Sequence, residues 1–248
     1  MTLMRMPMFT WTALVSVLLI VVAFPIFTGT LAMLTLDRYL GFHFFTNEGG
    51  GNVMMFMNLV WAWGHPEVYI LVMPAYGIFS EVVATFSGKP LFGYRSMVIA
   101  AMSIGVLALL VWLHHFFTMG AGGDVNAFFG ITTAIIAVPT GVKMFNWLGT
   151  MWGGSLSFKT PMMFAIGFLF LFLIGGVDGV FHAVVPIDYA INDTYWVVSH
   201  IHYVLFGGSV FGVFAGIYYW FPKMTGKFLD EGLGKIHFWL MFIGMNLA

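Results

Sequence analysis

Six apolar runs, each long enough to cross the hydrocarbon core of a bilayer, follow one another along this chain. A membrane-spanning helix needs about 20 mostly apolar residues. With 60% hydrophobic and only 8% charged residues, the sequence does not suit a soluble protein. The runs predict spans at residues 10–36, 53–83, 97–119, 128–151, 162–185 and 195–221.

A seventh apolar run starts near His237 and reaches the last residue, Ala248. We therefore expect the natural protein to continue beyond the sequence given. The connections between the runs are short, and neither a soluble domain nor a clear repeat interrupts them. The predicted fold is all-α: a polytopic transmembrane helical bundle with six complete spans and a truncated seventh.

Charged residues alternate in sign from one predicted loop to the next. One set of loops is basic and holds Arg5, Lys89, Arg95, Lys159, Lys223, Lys227 and Lys235. The other set holds Asp37, Glu48, Asp124, Asp188 and Asp193 against the single base Arg38. The positive-inside rule places the basic set on the cytoplasmic side, which supports the span count independently. A formal net charge of -1 predicts no nucleic-acid partner.

The segment WGHPEVY, residues 63–69, places ionisable side chains inside the second span. Such groups are costly in a membrane and need a reason to be there. At helical spacing His65 and Tyr69 share one face, whereas Glu67 points well away from both. A lone histidine here could be a hydrogen-bonded packing residue. Together with the other intramembrane histidines, His65 indicates a metal ligand.

Two histidine pairs lie near the outer ends of other spans. His114 and His115 end the third span and, with His65, provide three imidazoles, a set that suits copper. Alone, this pair could also be an interfacial feature. His200 and His202 project about 200° from one another on a helix, so they do not easily share one metal. They suit axial ligands of two haems on either side of one helix, or the polar lining of a water-filled cavity.

Lys143 lies in the inner part of the fourth span, with Thr140 on much the same face. A lysine at this depth either extends its ammonium to the cytoplasmic surface or belongs to a proton path. The sequence leaves both interpretations open. Because the chain has no cysteine, any thiolate-ligated copper must lie on a partner.

Four long segments carry a resemblance to a known family. They are GHPEVYILVMPAYGIFSEVVATFSGKPLFGY (64–94), HHFFTMG (114–120), VPTGVKMFNW (138–147) and DTYWVVSHIHYVLFGG (193–208). In this order they resemble subunit I of the haem-copper respiratory oxidases, of the type with a glutamate in its His-Pro-Glu-Val-Tyr motif. The resemblance covers essentially the whole chain. It implies a terminal oxidase that reduces oxygen to water and translocates protons, in a bacterial plasma membrane rather than a mitochondrial one.

The resemblance also implies ligands for three metal centres. His65, His114 and His115 would bind copper, His200 would bind the iron of the high-spin haem, and His202 that of the low-spin haem. The expected cofactors are thus copper and two haems, with haem a as the expected type.

Proton-carrying residues are implied in the same way. Tyr69 would be linked covalently to the histidine of its motif and would supply an electron and a proton when the O–O bond breaks. Glu67 would relay protons on the main uptake path. The second path would be lined by Lys143, Thr140 and Ser80.

The outer side carries two implied acidic sites. Asp188 would lie near the haem propionates, and Asp193 is a possible magnesium ligand. Many relatives have a histidine where this chain has Asn192, so the chain departs from the family's magnesium site.

Family members have four spans before this region and at least one after it. Residues 1–248 would then be a partial catalytic core that lacks about four N-terminal spans and the C-terminal end. The implied partners are subunit III and subunit II, which would carry a dinuclear copper site if cytochrome c is the electron donor. Quinol is the other donor that the family uses.

Two alternative functions compete with the oxidase. Nitric oxide reductase has the same scaffold with non-haem iron in place of copper, and Tyr69 and Lys143 argue against it. A proton-coupled polytopic transporter could also place histidines and Glu67 in a membrane. It predicts no haem and does not explain the order of the histidines.

Overall fold

The computed structural model describes residues 3–247, and this range contains ten α-helices. They are α1 (Met8–Leu40), α2 (Val53–Ser87), α3 (Tyr94–Leu107), α4 (Gly123–Ile135), α5 (Ala137–Met151), α6 (Thr160–Ala183), α7 (Val185–Ile191), α8 (Tyr195–Ile201), α9 (Phe211–Thr225) and α10 (Glu231–Leu247). Residues 3–247 contain no strand. The predicted all-α fold is confirmed.

Six spans of membrane-crossing length and composition are present: Met8–Leu40, Val53–Ser87, Tyr94–Met119, Gly123–Met151, Thr160–Ala183 and Tyr195–Thr225. Each overlaps one predicted span, and the largest difference is at the fourth, which begins at Gly123 rather than 128. The last helix begins at Glu231, earlier than the predicted start near His237. That prediction was wrong because hydropathy does not detect a polar first turn. The Asp230 side chain accepts a hydrogen bond from Leu233 N at 2.8 Å and begins the helix there.

The third span is not one continuous α-helix. After α3 it continues as two 3₁₀ segments, Ala108–Leu110 and Trp112–Met119. Irregular backbone at membrane depth is tolerated where protein buries it, and Val111 and Phe116 are fully buried. Thr132 Oγ1 lies 3.1 Å from the Leu110 carbonyl, and it lies at the same distance from two carbonyls of its own helix, those of Phe128 and Phe129. His114 and His115 therefore lie on a 3₁₀ segment.

The fourth and sixth spans are also interrupted. Pro139 has no backbone N–H to continue the helix, and α4 and α5 are separated at Ile136. In the sixth span a π-helical segment, His202–Val210, joins α8 to α9. It packs against α2 and α6, with Gly207 and Gly208 buried. π-helices are rare in proteins, and those that occur are often found at functional sites.

Hydrogen bonds gather the N-terminal segment and the basic loop between α2 and α3 at one end of the bundle. Lys89 Nζ donates to the Gly149 carbonyl at 3.3 Å, and the Tyr94 hydroxyl donates to the Met6 carbonyl at 2.7 Å. These contacts bring together the start of α1, the start of α3 and the end of α5. The predicted inner side is therefore one end of the bundle.

The other end is held together by Asn126 near the start of α4. Its Nδ2 donates to the Phe117 carbonyl at 3.0 Å and to the Tyr189 hydroxyl at 2.9 Å. The end of the third span, the start of α4 and α7 therefore meet at the outer end. Between the two ends α2 packs against α1, α5, α6 and α9 and forms the centre of the bundle.

Candidate metal centre

Three histidines from two segments meet near the outer end of the bundle. His65 lies on α2, and His114 and His115 lie on the 3₁₀ segment Trp112–Met119. One ring nitrogen from each lies within 4.8 Å of the other two. His65 Nδ1 is 3.2 Å from His115 Nε2. The structure thus brings together the three side chains that the sequence predicted to bind copper.

A threonine on α4 fixes the orientation of His114. Thr133 Oγ1 donates its proton to the Phe129 carbonyl at 2.6 Å, so it accepts from His114 Nδ1 at 2.9 Å. The protonated Nδ1 leaves Nε2 with a free lone pair. Such a partner on the second nitrogen is usual for a metal-binding histidine. The His115 ring lies parallel to the Trp61 ring, with 3.8 Å between the centroids.

A metal ion fits this group. His65 is 6% exposed, and Nδ1 is the ring nitrogen that faces His115. Metal–imidazole bonds of about 2 Å place two ligand nitrogens roughly 3.5 Å apart, close to the 3.2 Å between His65 and His115. Three imidazole ligands suit copper. The donor set therefore agrees with the copper that the sequence implies.

Tyr69 lies beside His65 on α2. The two ring centroids are 4.6 Å apart and the rings are tilted by 51°. This is the proximity that four-residue spacing predicts. The covalent link between them stays a prediction.

His200 and His202 have the tautomer that a haem ligand needs. His200 Nδ1 donates to the Gly175 carbonyl at 3.0 Å, and His202 Nδ1 donates to the Val198 carbonyl at 2.7 Å. A carbonyl can only accept, so each Nδ1 carries the proton and each Nε2 keeps its lone pair. His200 faces α6 and is half-buried, whereas His202 is exposed. The pair can therefore serve two different cofactors but not one.

Lys143 on α5 is buried in the centre of the bundle. It is 1% exposed, and its Nζ has no hydrogen-bond partner among the described residues. The Nζ lies 3.3 Å from the centroid of the Tyr76 ring. The interpretation that Lys143 extends to the cytoplasmic surface is wrong, because its Nζ is buried beside the rings of Tyr76 and Trp147.

Ser80, which is predicted to line the same proton path, contacts the same two residues as Lys143. Its Oγ accepts from Trp147 Nε1 at 3.0 Å and donates to the Tyr76 carbonyl at 2.8 Å. Trp147 and Tyr76 are the two rings nearest Lys143 Nζ. Thr140 is half-buried on α5, one turn before Lys143. The three predicted residues lie in one region, and their role stays a prediction.

Glu67 lies apart from these groups. It is half-buried on α2 and makes no hydrogen bond to another residue of the range 3–247. Its position agrees with the prediction that it points away from His65 and Tyr69. Its role as a relay stays a prediction.

The acidic side chains at the outer end have different surroundings. Asp188 is buried on α7 and accepts from His182 Nδ1 at 3.2 Å and from Asn192 Nδ2 at 2.9 Å. Asp193 is exposed, with a φ of 56°, and belongs to no group of three or more histidine or acidic side chains within residues 3–247. Its magnesium role stays a prediction.

Sequence reasoning missed two ionisable residues of α6. The His182 ring lies 5.1 Å from the His200 ring and is bonded to Asp188. The Asp178 carboxylate accepts a hydrogen bond from the Trp196 indole. Both residues lie inside the predicted fifth span. The rule that an ionisable group in a membrane needs a reason would have found them.

A match that extends over the whole length of the chain identifies its family. A family model described as cytochrome c and quinol oxidase polypeptide I matches residues 1–248. The chain belongs to this family. This membership favours neither the transporter nor the nitric oxide reductase alternative.

Curated members of the family include users of both electron donors. The probable cytochrome c oxidase subunit 1 of Bradyrhizobium diazoefficiens is 67% identical over 245 residues, which are 99% of this chain and 37% of the relative. The cytochrome bo(3) ubiquinol oxidase subunit 1 of Buchnera aphidicola is 58% identical over 248 residues, 100% of this chain and 38% of the relative. The quinol oxidase subunit 1 of Bacillus subtilis is 56% identical, again over 100% of this chain and 38% of the relative.

These relatives are bacterial membrane oxidase subunits, in agreement with the predicted bacterial plasma membrane location. The chain of 248 residues spans less than two fifths of their length. Its fold is also found in a haem-copper terminal oxidase dimer solved by cryo-electron microscopy. That similarity has a TM-score of 0.77 at 20% identity and covers 94% of this chain and 45% of the other.

Proposed function

We propose that residues 1–248 are a partial catalytic core of a terminal oxidase subunit I, which reduces oxygen to water and translocates protons. The observation that carries the proposal is the group of His65, His114 and His115, found in a chain of this family. The free Nε2 atoms of His200 and His202 add to it.

The histidines would hold copper and two haems in fixed orientations. His65, His114 and His115 would hold copper, with Thr133 keeping the proton of His114 on Nδ1. His200 and His202 would bind the two haem irons through Nε2. When bound, these metals supply the oxygen-binding site and the electron chemistry, while the protein supplies position and electrostatics.

Proton delivery would use two sets of side chains. Lys143, with Thr140 and Ser80, would carry protons from the inner side toward Tyr69, beside the copper ligand. Burial of the Lys143 amine among aromatic rings supports this role, because a lysine with no structural partner in the membrane interior is expected to be functional. Glu67 would serve the main uptake path and proton pumping. Asp188 would lie near the haem propionates.

We propose cytochrome c as the electron donor, with haem a as the haem type. The relative that is 67% identical is described as a probable cytochrome c oxidase subunit. Ubiquinol is the second candidate, because relatives that are 56–58% identical are described as quinol oxidases. Subunit II, with a dinuclear copper site if cytochrome c is the donor, and subunit III would be the partners.

Oxygen consumption by the intact oxidase that contains residues 1–248 tests the proposal. We expect rapid oxygen uptake with reduced cytochrome c and little with ubiquinol. Uptake with ubiquinol alone would keep the oxidase and change its donor. No oxygen uptake with either donor, together with reduction of nitric oxide, would contradict the proposed function.

A further inference from the structure

Polar residues form a stripe along one face of α2, from the metal centre to the inner end of the bundle. The stripe consists of His65, Tyr69, Tyr76, Ser80 and Ser87, spaced by four, seven, four and seven residues, and the buried Val83 shares its face. At about 100° per residue these positions fall within a sector of roughly 60°. Each of these spacings returns to the same face of a helix.

Tyr76 occupies the middle of this stripe. Tyr69 and Ser80 are eleven residues apart, which is about 16 Å along a helix. No proton transfers directly over that distance. Tyr76 is 3% exposed and lies between Tyr69 and Ser80 on α2. Lys143 is close to this position, because its Nζ lies 3.3 Å from the centroid of the Tyr76 ring.

The direction of α2 favours a Tyr76 side chain that leans toward the metal centre. Long side chains on a helix lean toward its N-terminus, and the N-terminal end of α2 is the outer end, where His65 lies. We therefore expect the Tyr76 hydroxyl to lie between its own backbone and Tyr69. Ser80 lies one turn further toward the inner end of α2.

The hydroxyl of Tyr76 has no structural use in the described part of the chain. It makes no hydrogen bond to another described residue, whereas the Tyr76 ring packs against Trp147, Phe168 and Phe172 with centroid distances of 5.7, 6.0 and 5.6 Å. A phenylalanine would make the same ring contacts. The packing therefore explains the ring but not the hydroxyl.

We infer that the Tyr76 hydroxyl relays protons between Lys143 and Tyr69 on the second uptake path. This inference rests on the proposed oxidase function. For each proton that the hydroxyl releases toward the metal centre, it takes up one from the side of Lys143, so its own charge is unchanged over a cycle. No electron is transferred in this step.

The test compares the intact oxidase with its Tyr76→Phe variant, which keeps the ring and removes only the hydroxyl. Two rates are measured by stopped flow: reduction of the high-spin haem without oxygen, and oxidation of the fully reduced enzyme by oxygen. We expect reduction to slow by about tenfold, because a proton-transfer group is lost, while oxidation keeps its rate. The double variant with Lys143→Met should be no slower than Lys143→Met alone.

Tyr218→Phe is the matched control. It removes a hydroxyl that bonds His237 Nδ1 at 3.2 Å on α9, outside the stripe, and should change neither rate. Reduction of Tyr76→Phe at the wild-type rate would overturn the relay, and so would equal slowing of both phases, which indicates damaged packing. Absence of haem and copper from the wild-type enzyme would overturn the proposed function itself, and the relay with it.

Discussion

The two sides of α2 differ in how this chain surrounds them. The side with the polar stripe is packed against α5 and α6, and Tyr76 and Ser80 on it are almost fully buried. The opposite side carries Glu67, half-buried and without a hydrogen bond to another described residue, and the exposed Leu71. One helix thus presents two proposed proton routes, but only one of them is positioned by contacts within residues 3–247.

The buried side of α2 contains polar groups that lower the stability of the fold. An unpaired buried polar group destabilises a protein by about 1–3 kcal/mol, and the Lys143 amine is such a group. The Ser87 hydroxyl at the inner end of the stripe is another. Polar groups that are present despite this loss of stability are expected to act in the reaction rather than in folding.

His65→Ala should have the largest effect, because His65 ends the stripe at the proposed copper site. Losing even an orienting partner of a metal ligand lowers affinity or activity by about 10–100-fold, so losing the ligand should exceed that. We expect copper to be absent by metal analysis and oxygen uptake to fall by more than about 100-fold. His43→Ala, in an exposed loop, should leave both unchanged. Full copper content in His65→Ala would break the assignment of the triad.

Lys143→Met should slow anaerobic reduction of the high-spin haem by about 100-fold, because the proton-carrying amine is lost from the buried side. Thermal stability should not fall, since methionine fills similar space and Lys143 Nζ has no hydrogen-bond partner to lose. Stopped-flow spectroscopy and a melting curve in detergent measure the two quantities. A large loss of stability with a normal reduction rate would show that Lys143 is structural.

Glu67→Gln tests the opposite side of α2. It keeps a polar side chain but removes the exchangeable carboxyl proton, so we expect turnover to fall by at least about tenfold and proton translocation in proteoliposomes to be lost. Copper content and the anaerobic reduction rate should stay normal, which separates this side from the stripe. Full turnover with unchanged translocation stoichiometry would remove Glu67 from the pumping path.

Ser80→Ala should have the smallest effect on rate and a measurable effect on stability. Trp147 Nε1, which donates to Ser80 at 3.0 Å, would be left buried without an acceptor. We expect the free energy of unfolding to fall by about 1–3 kcal/mol and reduction to slow only a few-fold. Ser155→Ala in an exposed loop is the control and should change neither. Unchanged stability in Ser80→Ala would argue against this hydrogen bond.

Hydropathy predicted the spans well because a bilayer imposes one length on every apolar helix. It did not predict where the helices change form. The irregular segment after Leu107 is contacted by Thr132 of another helix, whose hydroxyl lies 3.1 Å from the Leu110 carbonyl. The π-helical segment His202–Val210 likewise packs against α2 and α6. Such contacts between segments distant in sequence leave no periodic signal.

The same distinction holds at the site. Helical spacing alone brought Tyr69 beside His65 and set His200 and His202 in opposite directions. The hydrogen bond from His114 to Thr133 and the hydrogen bond from His182 to Asp188 join different elements. The rotation of one helix against another decides those contacts, and a single sequence does not specify it.

The central claim is that these histidines hold copper and two haems. A reduced-minus-oxidised and carbon monoxide difference spectrum, with metal analysis, of membranes containing the intact protein tests it most directly. We predict a high-spin haem that binds carbon monoxide, a second low-spin haem, and copper. A spectrum without haem would contradict the claim and favour a transporter, and haem iron without copper would contradict it in favour of nitric oxide reductase.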